Sequence, residues 1–235
     1  MISVCMASYN GAGFIERQIL SILNQLSEND ELIISDDSSQ DETINIIKSL
    51  NDSRIKILNG NFHSPTYNFE NALSKAKGDY IFLTDQDDQW LPNKVETCLN
   101  YLQEYDCIVS DCFIVDKNLQ IINSSFYKKN RTKTGKFYNL LVRNGYLGCC
   151  MAFNRKVLEK SLPFPKNIPL HDLWIGNVAA FGFSLQFIPE KLIYYCRHGD
   201  NASPAGGTSN FPVKTRILNR LYVINNLVRY LLFRR

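Results

Sequence analysis

The feature that most constrains this chain is an alternation in its N-terminal part. Short apolar runs of strand type are each followed by a segment with helical periodicity. Residues 2–7 (ISVCMA) are apolar throughout their middle, as a buried strand is. Residues 14–24 place Phe14, Ile15, Ile19, Ile22 and Leu23 on one helical face. Residues 31–35 (ELIIS) read as the next strand, and residues 41–50 as a helix with Ile44, Ile47 and Leu50 turned inward. Residues 54–58 and 67–76 repeat the pair, as do residues 80–84 (YIFLT) and a helix over 93–105 that starts after Pro92. Strands joined by single helices run parallel, with helices on both faces of the sheet.

The second half is less regular. A strand is expected over 107–112, a hairpin over 113–122 around Asp116-Lys117-Asn118, and a polar loop over 128–136. Residues 147–153 read as a strand, 155–161 as a helix capped by Asn154, 172–181 as a helix, and 187–188 and 192–196 as late strands. Residues 202–210 (ASPAGGTSN) carry the Gly, Pro and Ser of a seam, which divides the chain into a domain over 1–210 and a tail over 211–235. A length of 235 residues suits one such domain. The expected class is α/β: a mostly parallel mixed sheet flanked by helices, plus a C-terminal amphipathic helix.

Composition excludes several alternatives. With 45% hydrophobic and 21% charged residues the chain is neither disordered nor fibrous. No basic stretch or cleavage site precedes the first strand, and no apolar run reaches the ~18 residues of a membrane span, so a cytoplasmic protein is expected. The seven cysteines lack zinc-site spacing and read as small buried hydrophobes of a reducing compartment, with a redox pair at Cys149-Cys150 the rarer alternative. The net charge of +3 is uneven: residues 213–235 hold six basic side chains and no acidic one, while the other 212 residues hold 20 basic and 23 acidic. An acidic body with a basic tail does not suit a nucleic-acid binder, which spreads positive charge over a face.

In an open parallel sheet ligands bind at the carboxyl ends of the strands. The polar clusters fall there: Ser8-Tyr9-Asn10-Gly11, Asp36-Asp37-Ser38 and Asp85-Gln86-Asp87-Asp88. So many carboxylates without a lysine or arginine among them repel one another, and a divalent cation is the economical counter-charge. Asp36-Asp37-Ser38-Ser39 reads equally well as a turn that caps the next helix. Three carboxylates in the four residues from Asp85 exceed what a cap requires. A calcium loop starting at Asp85 fails because Trp90 stands where the sharp turn needs glycine, and a dinucleotide fingerprint after the first strand fails because Glu16 occupies the third glycine position.

At these residues the chain resembles a family 2 glycosyltransferase of the GT-A (Rossmann-like) fold, of the bacterial surface-polysaccharide type, over roughly residues 2 to 200. The resemblance is carried by residues 4–11 (VCMASYNG), 35–39 (SDDSS) and 84–90 (TDQDDQW), His171-Asp172 opening a helix, and Arg197-His198-Gly199 after the last strand. It implies that Asp37 or Asp36 contacts the donor base, with Ala7 to Tyr9 lining the same pocket, and that Asp85 contacts the ribose. It implies that Asp87 ligates a divalent metal, Mn²⁺ or Mg²⁺, whose shell His198 completes. Gly148 and His171 would lie beside the acceptor, Arg197 near phosphate, and Asp172 would be the general base of an inverting transfer. The implied donor is UDP-glucose or UDP-galactose, with dTDP-rhamnose an alternative, and the implied acceptor a growing surface glycan on a lipid carrier. A phosphohydrolase with an aspartate nucleophile fits less well, since Gln89 stands where it needs threonine or valine. A catalytically idle nucleotide-binding module would leave Asp172 without a role.

The tail carries an apolar helical stripe of Ile217, Leu221, Ile224, Val228 and Leu231 among arginines and asparagines. Contact with an anionic membrane is expected of it, a helix packed on its own domain or on a second subunit being the other reading.

Overall fold

The computed structural model describes residues 1–199, 201 and 212–233; the expected seam at 202–210 lies outside them, as do Arg234 and Arg235. The elements in chain order are β1 (Ile2–Ser8), α1 (Ile15–Leu23), β2 (Glu31–Asp36), α2 (Thr43–Ser49), β3 (Ile55–Asn59), α3 (Pro65–Leu73), β4 (Tyr80–Asp85), β5 (Gln89–Trp90) and α4 (Lys94–Tyr101). They continue with β6 (Cys107–Val115), β7 (Ile121–Asn123), α5 (Phe126–Asn130), α6 (Lys136–Leu141), a single 3-10 turn (Gly148–Cys150), β8 (Met151–Asn154), α7 (Arg155–Ser161), α8 (His171–Gly182), β9 (Leu185–Cys196) and α9 (Val213–Phe233).

One mixed sheet runs β3-β2-β1-β4-β8-β6-β9-β5, with β7 paired to β6. The N-terminal strands are parallel to one another, as are β6 and β9, and these are the long ladders; β8, β5 and β7 join by short antiparallel ones. Helices cover both faces, which is why β1 and β2 are apolar without alternation: Val4, Cys5, Met6, Leu32, Ile33 and Ile34 are all fully buried. α1 contributes Ile15, Ile19 and Ile22 to the same core.

Several elements differ from the sequence expectation for local reasons. α2 starts at Thr43, because Asp41 accepts hydrogen bonds from the Thr43 N–H (3.0 Å) and the Ala12 N–H (3.1 Å) and so holds the preceding turn open. α3 starts earlier than expected, with Pro65 in its first turn, where a residue lacking an N–H fits well. The two late strands are one, β9, interrupted in register where Ile188 pairs with Ser110 but Lys191 with Asp111; Pro189 and Glu190 form the bulge between. The polar segment 128–136 contains the end of α5 and leads into α6, and the strand expected at 147–153 begins as the 3-10 turn. All seven cysteines are buried and free, Cys149 and Cys150 among them.

α9 packs on the body by only part of the expected stripe: Ile224 and Leu231 are half-buried against the core. Its inner face is Val223 (0% exposed) and Leu227 (4%), with Tyr230 set edge-on against Trp174 at 4.7 Å. Arg220 Nη1 donates to the carbonyls of Asn139 (2.9 Å) and Leu140 at the end of α6. Ile217, Leu221 and Val228 of the stripe point outward and are about half exposed. Among the described residues no helix is long and apolar enough to cross a membrane.

Candidate active site

Strand register assembles the site. Ser8 lies beside Asp36 across β1 and β2, and Ala7 beside Asp85 across β1 and β4, so the polar residues that end three strands stand abreast at one rim of the sheet. Gln86 clamps the segment above them: its Oε1 accepts from the Tyr9 N–H and its Nε2 donates to the Tyr9 carbonyl, both at 2.9 Å. The clamp leaves no room at Gly11, where a Cβ would fall 2.2 Å from Gln86 Oε1. Tyr9 itself projects outward, 54% exposed, as an aromatic face at the mouth of the rim.

Asp36 and Asp37 are both buried and heavily engaged. Asp36 accepts from Ser8 Oγ (2.9 Å), Ser39 Oγ (2.6 Å) and the Ser39 N–H (2.8 Å). Asp37 accepts from the N–H groups of Phe62 (2.5 Å), His63 (3.2 Å) and Ser64 (3.0 Å), fixing the loop that enters α3. Asp36 therefore builds a turn as expected, but neither acid caps α2, and Asp37 Oδ2, with a single protein donor, keeps capacity for one more.

At the end of β4 the acids crowd. Asp88 is fully buried and accepts from the Cys196 N–H at 3.0 Å. The Asp85 carboxyl is pushed up to about 8, by burial first and then by the charges of Asp87 and Asp172. Asp88 is likewise raised, by burial and then by Asp87 and Asp85. Asp87, at the rim, meets His198 from beyond the last strand: Asp87 Oδ2 and His198 Nε2 share a hydrogen bond at 2.9 Å, and Asn201 Nδ2 donates to the same oxygen at 2.7 Å. The His198 ring is held by stacking on Phe14 at 4.5 Å. The Arg197 guanidinium lies over the Tyr195 ring, with Nη1 donating to its hydroxyl at 3.2 Å.

A divalent cation fits this rim. Carboxylate oxygen and imidazole nitrogen from Asp87 and His198 already converge, and both side chains are mostly but not wholly buried, so further positions stay open toward solvent. Asp85, Asp88 and the Cys149 thiol also bring ligand-type atoms within 4.8 Å of one another. That set fits such an ion poorly: burial holds the Cys149 thiol well above its ordinary range and therefore neutral, and sulfur is a soft donor for Mg²⁺ or Mn²⁺.

Asp172 approaches from the other side. It stands in the first turn of α8 without serving as the helix cap, which is Leu170. Its Oδ1 accepts from Asn144 Nδ2 at 3.2 Å and from the Leu173 N–H at 2.5 Å, and the Gly148 N–H also bonds its carboxyl. Burial pushes it up to about 6, these hydrogen bonds opposing the rise. His171 stacks on Phe69 at 4.0 Å, and burial depresses it to about 3, so the ring is neutral. Gly148 is required beside it, since a Cβ there would lie 2.6 Å from His171 Nε2. Asp87 with His198, Asp85, and Asp172 with Gly148 thus form one cluster, Asp85 lying close enough to feel the charges of Asp87 and Asp172, although they come from four stretches of chain. Gln86, Asn144 and Asn201 were not singled out from sequence, and Cys149 only as half of an alternative redox pair. Gln86 lies inside the acidic run, whereas the other three contact the site only through tertiary packing.

Known proteins resemble this chain in sequence and in fold. The chain is 32% identical over 189 residues, 75% of its own length and 69% of the relative's, to the UDP-Glc:alpha-D-GlcNAc-diphosphoundecaprenol beta-1,3-glucosyltransferase WfgD of Escherichia coli. It is 27% identical over 213 residues, 86% of this chain and 80% of the relative, to WfaP of Escherichia coli, an enzyme of the same description. Its fold resembles Staphylococcus aureus TarS (residues 1–349, in complex with UDP-GlcNAc) with a TM-score of 0.73 at 16% identity, covering 97% of this chain and 66% of that one. The family model for Glycosyl transferase family 2 matches residues 3–162, which hold the acidic rim and Gly148 but end before Asp172 and His198. With the rim at the ends of β1, β2 and β4 inside that span and a GT-A sheet beneath it, the chain belongs to glycosyl transferase family 2.

Proposed function

We propose that this glycosyltransferase moves a hexose, glucose in the first instance, from UDP to a hydroxyl of a glycan carried on a polyprenol diphosphate, with inversion at the anomeric carbon. The substrate reading is supported by the two Escherichia coli relatives, whose names specify a UDP-glucose donor and a diphosphoundecaprenol-linked acceptor. The mechanistic reading is carried by one observation. The acidic rim and the raised, ionisable carboxyl of Asp172 lie close enough together that Asp85 feels the charges of both Asp87 and Asp172.

The donor base is assigned to the pocket of Ala7, Tyr9 and Asp37, with Asp36 shaping its turn, and the ribose to Asp85. Asp87 and His198 would hold Mn²⁺ or Mg²⁺; when bound, such an ion stabilises the negative charge of a departing nucleoside diphosphate. Arg197, next to His198 in the chain, is placed on the phosphate side. On the opposite side Asp172 takes the proton of the acceptor hydroxyl as its oxygen attacks the anomeric carbon. The bond from that carbon to the phosphate oxygen breaks, and its electron pair leaves with the diphosphate. A single displacement of this kind inverts the centre. Asn144 and the Gly148 N–H orient the Asp172 carboxyl, and neutral His171 fills the wall behind Gly148 without competing for the proton.

The test is a donor screen with purified protein, Mn²⁺ and a short-chain polyprenyl diphosphate N-acetylglucosamine acceptor. UDP-glucose is expected to give acceptor-dependent UDP release that falls at least ~100-fold in Asp87→Ala. Absence of turnover with every nucleotide sugar, or full turnover in Asp87→Ala, would overturn the proposal.

A further inference from the structure

Two acid-free stretches lie far apart in this chain. Residues 117–158 contain nine lysines and arginines and no aspartate or glutamate; residues 212–233 contain Lys214, Arg216, Arg220 and Arg229 and again no acid. The fold brings the α6 part of the first against α9. Arg220 of α9 donates to the Asn139 and Leu140 carbonyls at the C-terminal end of α6, where a cation also suits the helix dipole. Arg220 is thus one residue from Leu221 on its own helix, and its acceptor Leu140 is one residue from Leu141 on the other.

Both helices turn large apolar side chains outward at this junction. Phe137 (62%), Leu141 (53%) and Val142 (51%) are exposed on the α6 side, and Ile217 (55%), Leu218 (55%) and Leu221 (56%) on α9. Lys133, Lys136, Lys214 and Arg216, within a few residues of them along the two segments, are exposed as well. Lys136 Nζ stays close to the aromatic patch, 5.9 Å from the Phe137 ring and 5.0 Å from that of Phe181. Six exposed apolar side chains on two contacting helices, with exposed lysines and an arginine beside them in the chain, are more than scattered surface hydrophobes.

We infer that the joint α6–α9 face is a docking surface for an anionic phospholipid bilayer. The apolar side chains would enter the boundary between headgroups and acyl chains while the lysines and arginines meet lipid phosphates, as in interfacial helices. Two copies of the face would bring like charges together, which disfavours self-association. A nucleic acid would leave the apolar side chains unused. The surface lies beside the acceptor side of the cavity: Arg143 and Asn144 follow Val142 directly, and Asn144 holds Asp172. A carrier lipid lying in the bilayer would therefore present its glycan to Asp172, a consequence that rests on the acceptor reading above. Docking itself does not.

The experiment is co-sedimentation of the full chain, without donor or acceptor, with vesicles of phosphatidylcholine alone or with added phosphatidylglycerol. Two surface variants accompany the wild type: Phe137→Ser/Leu218→Ser/Leu221→Ser and Lys136→Gln/Lys214→Gln/Arg216→Gln. Wild type is expected to bind the anionic vesicles, the apolar variant at least ~10-fold more weakly. The charge variant should lose about a hundredfold, with high salt reproducing the effect on wild type. Both variants should keep wild-type melting curves and UDP release toward a water-soluble acceptor. Equal partitioning of wild type and variants, or no preference for the anionic vesicles, would overturn docking. So would a wild-type dimer that the apolar variant renders monomeric, since the face would then cover a second copy. Vesicle binding by a protein that glycosylates no lipid-linked acceptor would keep docking and reject the acceptor reading.

Discussion

At the scale of single residues, Asp85 and Asp172 show how one cavity gives two carboxyls different tasks. Asp85 is raised to about 8 by burial and by two neighbouring charges, and so demands a proton or a cation nearby. Asp172 is raised only to about 6, because Asn144 and two backbone N–H groups favour its ionised form. A general base must be deprotonated, so kcat/KM for the saturable acceptor should be flat above pH 7. It should fall about tenfold per pH unit below about 6. A pH–rate profile checks this, and a flat profile down to pH 5 would contradict it. For stability the sign is the reverse: a raised carboxyl binds its proton more tightly in the folded state, so its penalty is absent at low pH and complete above about 6.

At the scale of elements, the loops are held by acids that looked functional. Asp37 gathers three backbone N–H groups and moors the entry to α3. Asp37→Ala should cost about 1–3 kcal/mol in urea unfolding, whatever its effect on donor binding, because three partly buried N–H groups lose a charged acceptor. An unchanged midpoint would show that the loop is held by other means. The same case marks the limits of reading the sequence. The parallel core was legible because doubly covered strands are apolar without break, and the acidic rim was legible because β1, β2 and β4 end together. Beyond β6 the periodicities fade. Pro189 and Glu190 read as a strand break but form a bulge within β9, and the 3-10 turn at Gly148 was hidden in an apolar run. The pairing of Asp87 with His198, 111 positions apart, came from resemblance and not from spacing, since nothing local predicts a contact at that distance.

At the scale of the whole molecule, α9 joins the body and extends its surface. Val223, Leu227 and Tyr230 seat it on the body with Ile224 and Leu231 half-buried beside them, while Ile217, Leu218, Leu221 and Val228 face out. Leu227→Ala should lower unfolding stability by about 2–3 kcal/mol with donor affinity unchanged; no loss would mean that α9 is merely resting on the domain. The basic excess noted at the tail adjoins the lysines of α6, a contact that the sequence does not show. The two halves of the site are likewise a product of the whole fold: the rim belongs to the N-terminal strands, and Asp172 arrives on a helix from the C-terminal half.

The account stands on that two-sided cavity, and Asp172→Asn tests it most directly. Rate and donor affinity are to be measured on the same preparation, with UDP-glucose, Mn²⁺ and the lipid-linked acceptor. The expected result is a fall in kcat of about 10²–10⁴ with the donor Kd unchanged and the melting temperature at pH 8 not lowered. An Asp172→Asn enzyme that turns over at the wild-type rate, or one that simply fails to bind the donor, would contradict it.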